Sequence, residues 1–320
     1  MKIKDIYEKA IKRGIELDPR GADEVRRELD REKKEYDSLK EKDRKYFDTE
    51  RLTNPYSDSR ILCGDPEKDV KRVLVGIDME IGEVLLADRL RERGTPIDLI
   101  LSHHPEGTAM ANLYDVMDMQ SGILLKYGVP INVAEDIMEE RIREVERRLM
   151  PANHTRAIDA ARLLDVPMMC LHTPTDNAVT DFLQRAFDAR KPVYVSDIID
   201  MLKEIPEYQK AAGETFAPKA VCGSEKRRAG KVFVDMTGGT GGSKKVYEKL
   251  AVAGVGTVVG MHISEDHRKE AEKNHVNVVI AGHISSDTLG VNLVLDHVLE
   301  GVEVVETSGF KRIARTERGR

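Results

Sequence analysis

Cysteine is scarce in this 320-residue chain. Its three copies, Cys63, Cys170 and Cys222, are odd in number, far apart and form no CxxC pair. A disulfide framework and a thiolate zinc finger are both disfavoured, and a reducing cytoplasm is the expected setting. A basic surplus is also missing: 51 Lys and Arg stand against 57 Asp and Glu, for a formal charge of −6. A general nucleic-acid binder is therefore not expected, because that role needs a cationic footprint on the phosphate backbone. Long apolar runs are absent as well. The opening MKIKDIYEKAIKRG has no signal-peptide core, and no segment approaches the roughly 18 apolar residues of a membrane span. No membrane association is expected.

Charge is concentrated at the amino end, where 30 of the first 50 residues are ionisable and the 15 basic and 15 acidic side chains cancel. Ile3, Ile6 and Ala10, then Val25, Leu29, Tyr36 and Leu39, recur at helical spacing. They predict two amphipathic helices broken near Pro19 and Gly21. From Asp69 short apolar runs alternate with helical segments. VKRVLVGID, IDLILSHHP and VPMMCLHTP read as strands, with helices over 81–93, 109–127, 135–149 and 153–164 between them. Helices over 176–190 and 195–212 follow. After Pro218 the alternation resumes through KAVCG, KVFVDM, TVVGMH, VNVVIAGH and VEVVE, with a helix expected from about Ser285 to Glu300. Strands separated by helices of this length predict an α/β fold with mainly parallel sheets. VLVGIDM and VFVDM form a short internal echo of a possible duplication.

Parallel sheets gather ligands at the carboxyl ends of their strands. Five of the nine histidines fall there: His103 and His104 after IDLILS, His172 after VPMMCL, His262 after TVVGM and His283 after VNVVIAG. A backbone turn at His103-His104-Pro105 would fan two imidazoles around two metals; read alone, the pair fits a structural role better. In GHISSD, Asp287 lies four residues after His283, a spacing that joins imidazole and carboxylate if a helix starts just after His283. As an early-turn acid, Asp287 would instead answer the helix dipole. HTPTD reads as a turn holding Asp176 just beyond a strand end, with an N-cap as the alternative. Together these motifs offer a mixed nitrogen and oxygen set that suits zinc, iron or manganese better than calcium. Paired ions about 3.5 to 4 Å apart are the apparatus of metal-assisted hydrolysis. The loop MTGGTGGSKK fails the P-loop spacing, since Ser243 stands where glycine is needed before Lys244. It reads as a tight strand-to-helix turn.

These residues, in this order, resemble the Ngg-interacting-factor-three-like family, the dinuclear metal-centre hexameric proteins also known as type-two GTP cyclohydrolase I homologues. VGIDMEIGEVLLADRL followed by LSHHP resembles its first signature, His172-Thr-Pro-Thr-Asp176 its His-Thr-Asn-Leu-Asp, residues 237–243 its glycine-rich loop, and Gly282-His283 through Asp287 its closing Gly-His-x-x-x-Glu. The similarity runs from about residue 60 to 307, and only in outline over 105–165 and 185–225. It implies two metals held by His103, His104, Asp176, His283 and Asp287, with Asp176 as the bridge. It also implies two α/β lobes with the site between them, assembled as a homohexamer. Asp287 is one methylene shorter than the family's glutamate, and Glu106 replaces an apolar residue after His-His-Pro.

The expected organisation is a charged helical extension over 1–60, a first lobe over 61–190, a helical link over 191–215 and a second lobe over 216–320. The expected activity is that of a cytoplasmic, dinuclear-metal-dependent hydrolase of the GTP cyclohydrolase-like kind. Its metal-bound hydroxide would attack a small nucleotide-like substrate, with His172 or Glu106 handling protons. A non-catalytic metal-binding adaptor or regulator of the same fold is the alternative.

Overall fold

The computed structural model describes residues 1–315. Among the described residues nine strands form two sheets, and α-helices pack over them. In the first sheet β1 (Arg60–Cys63), β4 (Met168–Cys170), β3 (Leu99–Ser102), β2 (Arg72–Gly76) and β9 (Glu303–Glu306) lie side by side in that order. The second sheet runs β5 (Lys219–Cys222), β8 (Asn277–Ile280), β7 (Val255–Gly260) and β6 (Lys231–Asp235). All neighbours pair in parallel except the edge strands β1 and β5, which run antiparallel to β4 and β8. The central strands β3 (LILS) and β8 (NVVI) are buried at every position, as expected of strands covered on both faces. The predicted α/β class with mainly parallel sheets is what the chain adopts.

Several elements differ from expectation. The last strand, VEVVE, was expected to close the second lobe; it pairs instead with β2 in the first sheet, in register from Arg72↔Glu303 to Val75↔Glu306. The cause is the preceding helix His283–Val298, whose 16 residues span about 24 Å. It packs along the helix Thr173–Arg190 of the first lobe. The approach is close: a Cβ at Gly290 would sit 2.3 Å from the Thr175 carbonyl oxygen. Its far end delivers the chain to the open β2 edge. The predicted helix over 109–127 is three pieces, Gly107–Ala111, a 3-10 turn at Asp115–Asp118, and Met119–Tyr127. Pro206 splits the one predicted over 195–212 into Val195–Lys203 and Pro206–Glu214.

The two predicted amino-terminal helices form, as Ile3–Glu16 and Ala22–Ser38. They behave differently. The first buries Ile3, Ile6 and Ala10 completely, in one apolar cluster with Val73, Leu101 and Val291. It also presses on the start of the helix Thr173–Arg190, where a Cβ at Gly14 would lie 2.8 Å from Pro174 Cβ. The second buries only Val25 and is a solvated face. Among the described residues no helix is long and apolar enough to cross a membrane.

Candidate metal centre

The carboxyl ends of β2, β3, β4 and β8 converge; β3, β4 and β8 deliver the side chains that could hold a metal, and β2 delivers Asp78 beside them. Past β3 the backbone keeps contact with β2: the His103 and His104 amides donate to the Gly76 and Ile77 carbonyls at 3.0 and 2.9 Å. The chain turns here, so both rings face one space, their centroids 5.0 Å apart. After β4, Thr173-Pro-Thr-Asp176 is the first turn of the helix Thr173–Arg190, not a free turn, with Pro174 in the first two helical positions. Proline there carries a preset helical φ and sacrifices an amide that has no intrahelical partner. After β8, Gly282 at φ 117° lets the chain swing sharply into its helix, which begins at His283, two residues before the predicted start.

Donor atoms from these termini are spaced as metal ligands are. His103 Nε2 lies 3.6 Å from Asp176 Oδ1 and 3.5 Å from Asp287 Oδ1. Asp287 Oδ2 is 3.6 Å from both His104 Nε2 and His283 Nε2. These separations are poor for hydrogen bonds. They match two donors of one ion, because ligands about 2.1 Å from a tetrahedral metal are about 3.4 Å apart. Accordingly, His103 Nε2, Asp176 Oδ1 and both Asp287 oxygens are buried without any hydrogen-bond partner. A fully buried carboxylate with two orphan oxygens is costly unless a cation lies against it. Two overlapping groups could hold a metal, His103 with Asp176 and Asp287, and His104 with His283 and Asp287; a third combines His103, His104 and His172. Asp287 belongs to both mixed groups, whereas Asp176 belongs to one. The resemblance assigned the bridge to Asp176, but the carboxylate that faces His103 with one oxygen and His104 and His283 with the other is Asp287. The second oxygen of Asp176 points instead toward His172 Nε2, at 3.7 Å.

An outer ring orients the imidazoles. His103 Nδ1 is 2.9 Å from Thr175 Oγ1, whose hydroxyl is within 2.9 and 2.8 Å of the Leu171 and His172 carbonyls. With its one proton given to a carbonyl, Thr175 accepts from His103 Nδ1–H, and the Nε2 lone pair is left facing the aspartates. His104 Nδ1 meets Asp78 Oδ1 at 2.6 Å. Burial, together with His103 and His172, pushes His104 down to about 4, so it is a neutral ring with a free lone pair. His172 differs. Its Nδ1 lies 2.8 Å from Asp58 Oδ2, and Asp58 also accepts from the Thr173 hydroxyl at 2.6 Å. Burial alone would lower His172, but Asp176 and Asp58 raise it to about 9. His172 is thus an imidazolium with no lone pair to offer. Burial opposes the charge of Asp58, yet the His172 and Thr173 hydrogen bonds hold it below the usual carboxylate range. The two inner carboxyls part in the same way. Burial lifts Asp176 to about 7 against His172 and His103, while the imidazoles around Asp287 overcome its burial and hold it low.

The centre opens into a cavity of about 450 Å³. Glu106 lines it and is raised to about 7 by burial and by neighbouring Glu80 and Asp78. The glycine loop forms another wall. The side-chain amide of Gln120 donates to the Gly238 and Thr240 carbonyls at 2.6 and 2.8 Å. A Cβ at Gly238 would lie 2.7 Å from Gln120 Cγ, so the glycines permit close packing, and the helix that follows starts only at Val246. All five sequence-derived ligands and His172 therefore meet in one place. Asp58, Asp78 and Thr175 were missed. Asp78, at the end of VKRVLVGID, obeys the same strand-end rule as the histidines; Asp58, in a connecting segment, carries no such signal. His262 was noticed at its strand end but not placed in the site, and its ring centroid is 4.9 Å from that of His283.

Comparison with family models gave no match, and comparison with curated proteins gave none either. Solved structures do match. The chain is 30% identical to a NIF3 superfamily protein from Sphaerobacter thermophilus, with a TM-score of 0.69, over 79% of this chain and 92% of that one. Reduced HcgD from Methanocaldococcus jannaschii aligns at 16% identity and a TM-score of 0.46, over 77% and 87% of the two chains. A Bacillus cereus protein related to NIF3 aligns at 12% identity and a TM-score of 0.39, over 78% and 91%.

Proposed function

The chain belongs to the NIF3 superfamily, and from that premise and the ligand geometry we propose that it is a dinuclear-metal-dependent hydrolase of a small molecule. The observation that carries the proposal is the fully buried Asp287, one of whose unpartnered oxygens faces His103 and the other His104 and His283. One ion would be held by His103, Asp176 and Asp287, the other by His104, His283 and Asp287, with Asp287 spanning the two. Zinc, iron and manganese are the ions this donor set favours. When bound, such a pair lowers the pKa of water and stabilises developing negative charge.

The chain's own residues supply the rest. Thr175 and Asp78 fix the rings of His103 and His104 with their Nε2 atoms inward. Asp58 holds His172 through Nδ1 with Nε2 toward Asp176, which places the ring to exchange a proton with a departing group at the edge of the ion site. Glu106, raised to about 7 on the cavity wall, is the second group suited to exchange a proton near neutral pH. The cavity volume lies within the roughly 300 to 1,000 Å³ typical of small-molecule sites, which supports a substrate of nucleoside size. Assembly as a homohexamer is part of the proposal; light scattering should give six times the 36.0 kDa chain mass.

The test is metal analysis beside a turnover screen. Protein loaded with zinc, iron(II) or manganese should hold two ions per chain and hydrolyse a member of a nucleoside and heterocyclic amide panel. His283→Ala should lose both one ion and the turnover. Two ions without turnover of any panel member, together with metal-dependent capture of a protein partner, would favour the non-catalytic adaptor.

A further inference from the structure

Charge is distributed unevenly along the cavity. At its inner end the ion positions lie against Asp176 and Asp287, whose orphan oxygens already call for cations. The charge of two divalent ions exceeds that of the two carboxylates, so the loaded inner end is positive and suits a polarisable carbonyl or ring carbon. Beside these, Asp78, Glu80, Glu106 and Asp235 also line the wall, Asp78 next to His104. Among the described residues none of the four forms an ion pair with a lysine or arginine; Asp78 meets the neutral ring of His104 through Nδ1. Arg141 is the one lysine or arginine on the wall, and it is already engaged, with Nε on the Gly241 carbonyl at 3.0 Å and Nη1 on Glu144 at 2.8 Å. Asp78 and Asp235 arise from equivalent places, at or just past the ends of β2 and β6, so acid enters the cavity from both lobes.

We infer that the site selects a neutral or cationic substrate, one that sets its scissile group on the ions and its amine, amidine or ring N–H donors against these wall carboxylates, and that it rejects polyanions such as nucleoside triphosphates. This rests on the metal-centre reading above. A triphosphate would bring several negative charges beside Asp78, Glu80 and Asp235, none of which pairs with a lysine or arginine among the described residues, and beside Glu106, which is raised to about 7 and carries only part of its charge at neutral pH. At the intermediate dielectric of a half-open cavity each such juxtaposition costs roughly tenfold in affinity or more. A donor-rich head of opposite charge gains by a similar factor, and both effects shrink as salt rises.

The experiment uses the full chain loaded with cobalt(II), whose visible spectrum reports its ligands. Three hydroxamates share one chelating head and differ only in the tail: trimethylammonium-acetohydroxamate, acetohydroxamate and succinic monohydroxamate. The expected order of affinity is cationic, then neutral, then anionic, each step roughly tenfold. Glu80→Gln and Asp235→Asn should each narrow that spread with the cobalt stoichiometry unchanged. GTP should bind more weakly than guanosine. Equal affinities, tightest binding of the anionic hydroxamate, or GTP binding above guanosine would overturn the inference while leaving the metal centre standing. Failure to bind cobalt at all would instead overturn the metal-centre reading, and the selectivity with it.

Discussion

Strands β1 to β4 and strands β5 to β8 are laid out alike: an antiparallel edge, then three parallel strands in the same order. Even the irregularity in the edge strand recurs, between Ile61 and Cys63 in one half and between Ala220 and Cys222 in the other. Each half then sends a helix from its strand next to the edge, and each helix start carries a His-x-x-x-Asp. The two motifs are nevertheless out of step. His172 precedes its helix and Asp176 is the fourth helical residue, whereas His283 is the first and Asp287 the fifth. In both halves the imidazole Nε2 faces the carboxylate of its own motif, at 3.7 Å for His172 and Asp176 and 3.6 Å for His283 and Asp287. What differs is the other ring nitrogen, which in His172 is held by Asp58 at 2.8 Å. The same spacing thus makes a carboxylate-backed imidazole, the His172–Asp58 dyad, in one half and, with His104 alongside, a candidate ligand pair in the other. A motif's chemistry is set by what meets its second ring nitrogen.

The sharpest way to break this contrast is Asp287→Asn, which keeps the shape and removes the shared carboxylate. Affinity for both ions should fall roughly 100-fold or more, beyond the loss usual for outer-ring changes. Calorimetric titration checks this prediction. Retention of one tight ion would contradict the shared role. Asp176→Asn should cost only the ion beside His103; loss of both by metal analysis would restore Asp176 as the bridge.

Asp58→Asn addresses the dyad. Two ions should remain, while the metal-free protein loses roughly 2 kcal/mol, the scale of a charged hydrogen bond. The pH sign follows from His172, whose folded pKa of about 9 lies above its ordinary 6.5. Its stabilisation is complete below 6.5 and lost as pH rises through 9. Wild-type melting temperature should therefore decline between these values, and the variant should show a flatter curve; parallel curves would sink the dyad. Gly290→Ala drives a methyl toward the Thr175 carbonyl and should destabilise by about 1 to 3 kcal/mol in chemical denaturation. A neutral result would mean the two helices are not so closely pressed. His262→Ala, the smallest change, should leave two ions bound; loss of one by metal analysis would add His262 to the ligands.

The parts of the fold visible in the sequence are those with local causes. IDLILS is a strand because it is apolar and bounded by Pro96 and His-His-Pro, and the histidines at its end mark the working edge of the sheet. Asp287 could be placed beside His283 because helix periodicity alone joins residues four apart. Other features depend on contacts distant in sequence. The five residues of VEVVE do not encode which sheet edge they join; the helix before them decides it. Thr-Pro-Thr reads equally as a turn or a helix start until its packing is seen. Asp58 reaches His172 across 114 positions, and no local pattern announces that contact.

An anomalous-scattering map of metal-loaded crystals tests the shared role of Asp287 most directly. Two peaks per chain are expected, about 3.5 to 4 Å apart, one among His103, Asp176 and Asp287 and the other among His104, His283 and Asp287. A single peak, or two peaks joined by Asp176 with His172 as a ligand, would contradict it.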